Sequence, residues 1–208
     1  MASVEESRIA VAAGADALGL VSAMPSGPGP IDESLIAEIV ATVPPPVATF
    51  LLTSQQRADG IVAQQRRCRA NTLQLVDAVP FDDLRRLRDA LPGIALVQVI
   101  HVTGPSSIDE AVAVAPLVDA ILLDSGNPAL AVKELGGTGR THDWTLSARI
   151  REAVPVPLFL AGGLDATNVG DAIRAVRPFG VDVCSRLRHA GQLDAARLAA
   201  FVAAVAAA

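Results

Sequence analysis

Phe159-Leu-Ala-Gly-Gly-Leu-Asp165 decides how this chain is read. An apolar run leads straight into two glycines, and the amphipathic stretch 166–176 follows. A strand that is apolar without alternation is covered on both faces, the habit of parallel sheets. The same phrase recurs along the chain. Strand candidates are Asp16–Ser22, Val47–Thr53, Thr72–Val76, Ile94–Val102, Asp119–Asp124, Val156–Ala161 and Gly180–Cys184. Helix candidates alternate with them: Asp32–Val43, Arg57–Arg69, Asp82–Leu91, Ile108–Ala115, Trp144–Ala153, Ala166–Val176 and Ala195–Ala207. Ser3–Ala13 reads as a helix ahead of the first strand. Asp32, Ser107, Asp143 and Asp165 stand where N-caps belong. Strand–helix alternation implies βαβ units on a parallel sheet, so the fold class is α/β. Closed barrel and open doubly wound sheet both remain open at this point. No linker divides residues 1–208, which read as one domain.

Composition narrows the function classes. The 208 residues are 51% hydrophobic and 19% charged, with a net charge of −5. So apolar a chain is not disordered. Its acidity and lack of a long basic block argue against nucleic acid or an anionic membrane as partner. Two cysteines, Cys68 and Cys184, and three histidines, His101, His142 and His189, lack metal-ligand spacing. The start shows no apolar signal segment, and no apolar run approaches membrane-spanning length. A cytoplasmic location is expected.

Three stretches can carry chemistry. Ala120-Ile-Leu-Leu-Asp124 ends an apolar strand on a carboxylate. Active sites of parallel α/β folds lie at such strand ends, and a partly desolvated carboxyl there suits a general acid. Alone, Asp124 reads more readily as a turn residue than as an acid. Gly136-Gly-Thr-Gly139, running on to His142-Asp-Trp144, frees backbone N–H groups for a ligand, or simply connects two elements. Gly162-Gly163, at a strand end ahead of a helix, suits a phosphate, and the next unit ends at Asp182-Val-Cys-Ser185. Two such strand ends in adjacent units form a phosphate cup. Gln74 and Gln98 are expected to point into a barrel interior. Cys68 reads as incidental, and Cys184 as a core filler or pocket-lining residue.

Together these motifs resemble the phosphoribosylanthranilate isomerase family of tryptophan biosynthesis. The likeness rests on Gly14-Ala-Asp-Ala-Leu-Gly19, Ala120–Asp124, Gly136–Gly139 with His142–Trp144, Ala161–Leu164 with Asn168-Val169, and Arg177–Val183, in the family's order. It implies a TIM (βα)8-type barrel, with the first strand missing and seven strands recognisable. It implies an aldose–ketose isomerase that performs an Amadori rearrangement of a small phosphorylated substrate, without metal or cofactor. Asp124 takes the general-acid position. Gly137, Thr138, Gly139, Gly162, Gly163, Asp182, Ser185 and Arg186 fall on substrate- or phosphate-binding positions. A homodimer is an allowed assembly.

The departures cluster near the N-terminus. The family's first strand carries its general-base cysteine, and this sequence begins with a helix instead. It reads as a divergent or N-terminally truncated member of reduced activity. Ser26-Gly-Pro-Gly-Pro30 lacks the family's anion-binding arginine, and Gln74-Leu-Val-Asp77 lacks its histidine. Arg186 replaces a glycine, adding a cation beside the phosphate position. His101 is the one candidate for a replacement base. The alternatives are an isomerase or binder of another sugar phosphate, or a non-catalytic paralogue. An open seven-strand sheet leaves two edges to be covered, by a neighbouring chain, by the N-terminal residues or by distortion.

Overall fold

The computed structural model describes every residue except Pro28 and Thr138. Seven strands form one parallel sheet in chain order: β1 (Ala17–Val21), β2 (Ala48–Thr53), β3 (Thr72–Leu75), β4 (Ala95–His101), β5 (Ala120–Asp124), β6 (Leu158–Leu160) and β7 (Gly180–Val181). Each lies within the stretch that apolar continuity marked. Helices α2 (Glu33–Thr42), α3 (Ala58–Cys68), α4 (Phe81–Ala90), α5 (Ser106–Val114), α6 (Trp144–Ala153) and α7 (Val169–Val176) join successive strands. Helix α1 (Val4–Ala12) precedes β1, and α8 (Ala195–Ala206) ends the fold.

The sheet has two buried faces, as its unbroken apolar strands require. Leu73, Leu75, Leu96, Ile100, Ile121, Leu123, Leu158 and Leu160 face the helices, in one core with Ile39, Ile61, Leu84 and Ile150. Val76, Val97, Val99, Ala120, Leu122 and Ala161 form a second, inner core. The inner core fixes the curl. Phe50 on β2 meets Phe159 on β6 edge to face, with ring centroids 5.9 Å apart. Four strand spacings in a flat sheet would separate those strands by about 19 Å. The sheet therefore bends round until its two sides touch, which gives the open (βα)8-type barrel expected from the motifs.

The barrel is not closed by a β7–β1 ladder among the described residues. N-terminal residues take up part of the gap. The Met1 amino group donates to the Gly19 carbonyl on β1 at 2.6 Å. Glu6 of α1 accepts two hydrogen bonds from the Arg188 guanidinium, at 3.0 and 2.6 Å, and one from Leu193 N–H at 3.0 Å. Burial raises the Glu6 pKa, but these donors and Ala2 N–H outweigh it and hold the carboxyl below its usual value. Arg188 and Leu193 belong to a small hairpin, β8 (Arg188–His189) and β9 (Gln192–Leu193). Glu6 thus ties α1 on the β1 side to the segment that leaves β7.

Several local expectations are corrected. Asp143 caps α6 through Thr145 N–H, but Asp32 makes no side-chain cap bond to α2. Ser107 sits inside α5, where its hydroxyl donates to His101 O and accepts from Thr103 N–H. Asp165 holds the turn before α7 through Thr167 N–H, and Asn168 takes the N-cap position. Gln74 registers with Val97 of the inner core, but Gln98 registers with Leu75 of the outer one. Gln98 therefore lies on the helix side, where its amide donates to Leu75 O and Asp77 O. Cys68 is buried, and that burial pushes its thiol up to about 11 despite the neighbouring Arg67. Cys184 is exposed rather than a core filler.

Candidate active site

The strand ends converge on one mouth, and register decides what faces it. His101 pairs with Asp124 across β4 and β5, and Leu123 with Leu160 across β5 and β6. Leu160 pairs with Val181 across β6 and β7, and Asp182 N–H continues to Leu160 O at 2.9 Å. One residue further along, His101, Asp124, Ala161 and Asp182 form a single inward-facing row at the rim. The two carboxylates flank one small alanine. Adjacent strands lie about 4.8 Å apart, and the inward curl brings their side chains closer than their backbones.

That row has its own electrostatics. The Asp182 carboxyl reaches solvent through the mouth but is otherwise hemmed in by protein. This desolvation, with the charge of Asp124 second, pushes its pKa up to about 6. Asp124 is buried, and its Oδ1 accepts from Ser125 N–H at 2.7 Å. Its Oδ2 faces Gly136, where a Cβ would stand 2.7 Å away. Only glycine at position 136 lets the backbone pass so close over the acid.

The glycines expected to hold phosphate come together with that acid. A Cβ on Gly162 would lie 3.0 Å from His142 Nδ1 and 3.1 Å from Ser125 Oγ. One on Gly163 would strike the Arg140 backbone at 2.6 and 2.7 Å. Both glycines have positive φ, +87° and +63°. Among the described residues, Gly162, Gly163 and Ser185 N–H make no hydrogen bond to another backbone group. Gly139 lies against Ser185 Oγ, and the Arg186 guanidinium donates to Gly139 O at 2.9 Å. Gly137 is exposed with φ +68°, next to Gly136 above Asp124. Thr138 lies outside the described residues. The structure thus gathers Asp124, Gly137, Gly139, Gly162, Gly163, Asp182, Ser185 and Arg186 along the β5–β7 rim.

His101 is differently placed. Its Nε2 lies 2.9 Å from Val76 O, a contact that makes Nε2 the protonated nitrogen. Its Nδ1 is buried without a partner among the described residues, and a Cβ on Gly126 would stand 2.5 Å from it. Loop backbone covers the nitrogen that would have to act. His142 is a site residue the sequence did not single out. Its Nε2 contacts Ser147 Oγ at 2.8 Å, and burial lowers its pKa although Asp124 and Asp143 pull it upward. A neutral imidazole therefore stands between the acid and the glycines. Spacing alone hid it, since it reads as part of a cap motif.

Comparison with known proteins accords with this arrangement. The family model described as N-(5'phosphoribosyl)anthranilate (PRA) isomerase matches residues 5–204. The chain belongs to this family. It is 40% identical over 197 residues to the N-(5'-phosphoribosyl)anthranilate isomerase of Haloferax volcanii, covering 93% of this chain and 84% of that protein. It is 37% identical over 186 residues to N-(5'-phosphoribosyl)anthranilate isomerase 2 of Methanosarcina mazei, covering 89% of this chain and 81% of that protein. The crystal structure of phosphoribosyl anthranilate isomerase from Thermotoga maritima superposes with a TM-score of 0.85 at 26% identity, over 100% of this chain and 96% of that one. Family, barrel class and isomerase reading all agree with the sequence motifs.

Proposed function

We propose that this chain isomerises N-(5'-phosphoribosyl)anthranilate in tryptophan biosynthesis, with Asp124 and Asp182 as its proton-transfer pair. The observation that carries the pairing is the rim row, in which Ala161 alone separates them. The family's base projects from a strand that would lie between β7 and β1. Asp182 tips a strand bordering the open seam, so it stands beside the place of the family's cysteine. Burial, the larger cause of the Asp182 shift, persists when Asp124 carries its proton, so Asp182 stays a stronger base than an ordinary carboxylate yet is ionised at neutral pH.

The steps balance on these two groups. Asp124 protonates the ribose ring oxygen as its bond to C1′ breaks, and the nitrogen lone pair forms the C1′=N bond. Asp182 takes the C2′ proton, and the electrons move through C1′–C2′ onto nitrogen to leave an enolamine. Asp182 then returns its proton to C1′, while the enol hydroxyl proton passes to Asp124. The product is the 2-ketone, and both carboxyls are back in their starting states. Gly162, Gly163 and Ser185 amides, with Arg186, hold the phosphate away from the carboxylates that would repel it.

Loss of anthranilate fluorescence with phosphoribosylanthranilate as substrate tests the reading. Asp124→Asn and Asp182→Asn should each lower kcat by about 10²–10⁴ while leaving inorganic phosphate binding intact. Near-normal kcat in Asp182→Asn removes it from the mechanism. No turnover by the unaltered protein, and no rescue of a tryptophan auxotroph lacking the isomerase, removes the function itself. The cytoplasmic location and the homodimer belong to the same proposal. The exposed Phe179 and the unpaired sheet edges support a second copy, which light scattering measures.

A further inference from the structure

The opposite rim of the mouth carries a feature that the phosphate cup does not explain. Residues 133–136 lie over the barrel, held by Ser26 Oγ donating to Lys133 O at 2.5 Å. Leu135 drops into the inner core beside Val76 and Val97. Lys133 reaches past it to the end of β3, where its Nζ pairs with Asp77 Oδ2 at 2.5 Å. The Asp77 side chain is only 8% exposed, against 40% for Lys133. One side of the ammonium is therefore fixed, and the other faces an open cavity of about 350 Å³. Met24, Pro25 and Leu135 give that cavity apolar walls, and Ser54 adds a hydroxyl. Lys133 is the one cation among its described lining residues.

We propose that Lys133 holds the carboxylate of the substrate's aromatic ring, with the ring between Met24, Pro25 and Leu135. The inference rests on the isomerase reading above and names a determinant within it. The substrate has two anionic ends. The phosphate end belongs to the β6–β7 rim, and the β1–β3 rim lies across the mouth with the Asp124 row to one side. Lys133 puts a cation on that second rim, where the Ser26–Pro30 stretch carries none. Asp77 sets the ammonium's position but cannot itself accept an anion, so the contact requires Lys133 to remain charged and between them. A flat apolar slot with one cation at its side favours a benzoate-like group over a plain sugar phosphate.

Three variants separate this role from that of a strut for Asp77. Lys133→Met should raise KM for phosphoribosylanthranilate about 10- to 100-fold with a much smaller change in kcat. It should weaken binding of free anthranilate by a similar factor, while inorganic phosphate binds as before. Lys133→Arg should restore most of both. Asp77→Asn frees the ammonium but keeps the cation, so anthranilate binding should survive within about threefold. Equal loss of anthranilate binding in Lys133→Met and Asp77→Asn overturns the proposal, because it makes the pair a structural tie. So does unchanged anthranilate binding in Lys133→Met. If the unaltered protein binds anthranilate through Lys133 but turns nothing over, the isomerase reading fails while the anchor stands. Melting curves of each variant identify one that has not folded, and Lys133→Arg then decides alone.

Discussion

The two rims of the mouth are built on different principles. Along β5–β7 the rim is mostly backbone: glycines that let one loop lie against another. Along β1–β3 the equivalent work falls to a side chain, Lys133, which comes from the loop after β5 and is held by Asp77. A backbone site is bound to its own strand and loop, so losing an element elsewhere does not disturb it. A side-chain site can be supplied from any loop that reaches it. Both end strands border the open seam, yet the glycines stay on the β5–β7 side, whereas on the β1–β3 side the cation comes from a distant loop.

Breaking the backbone rim should have the largest effect. Gly163→Ala adds a Cβ where the Arg140 backbone already stands, at a φ of +63°. It should lower stability by about 2–4 kcal/mol and weaken phosphate binding with it. Gly93→Ala is the matched control. Its φ is +85° with open space around it, so only the conformational cost applies, about 1 kcal/mol. Denaturant titration of both variants separates close approach from backbone conformation. Equal losses would mean that the loop does not press on Gly163.

An intermediate effect is expected where the two sides are tied. Glu6→Ala strands Arg188 and Leu193 N–H, and should cost about 2–3 kcal/mol. The exposed Arg174–Asp171 pair should give less than about 0.5 kcal/mol when broken in the same way. Thermal melts of the two variants test whether α1 closes the gap or merely lies over it.

The smallest effect is the pH dependence of stability. Asp182 has a raised pKa in the fold, near 6 against an ordinary 3.8, so ionising it there is unfavourable. Stability linked to this group is complete below about pH 4 and is lost as pH rises through 6. Solvent at the mouth screens the penalty to on the order of 1 kcal/mol. Asp182→Asn should remove this loss, so its melting temperature at pH 8 should exceed that of the unaltered protein. An identical pH profile in both would take Asp182 out of the charged row.

Strands, their ends and the paired glycines were legible because unbroken apolar runs and Gly pairs are local signals, whereas the barrel order came only with the family motifs. Parity was not legible. In a strand apolar on both faces nothing in the sequence shows which way Gln98 points, and the register with Leu75 decides it. The place of Lys133 was hidden for another reason. It lies in the long segment between β5 and α6, without periodicity, and its partner Asp77 is 56 residues away. β8 and β9, two residues each with no apolar run around them, left no pattern to read. His101 looked available because it ends a strand, but only the folded loop reveals Gly126 above it.

The Phe50–Phe159 contact has a mechanical meaning. A barrel stitched all round by its ladder keeps its bend as a hoop does, and one cut would let it spring flat. Here two aromatic rings meet across the lumen like a keystone, holding opposite walls at a set distance. Curvature therefore does not hang on completing the circle, and the catalytic end can keep its shape over a seam that is only partly sewn.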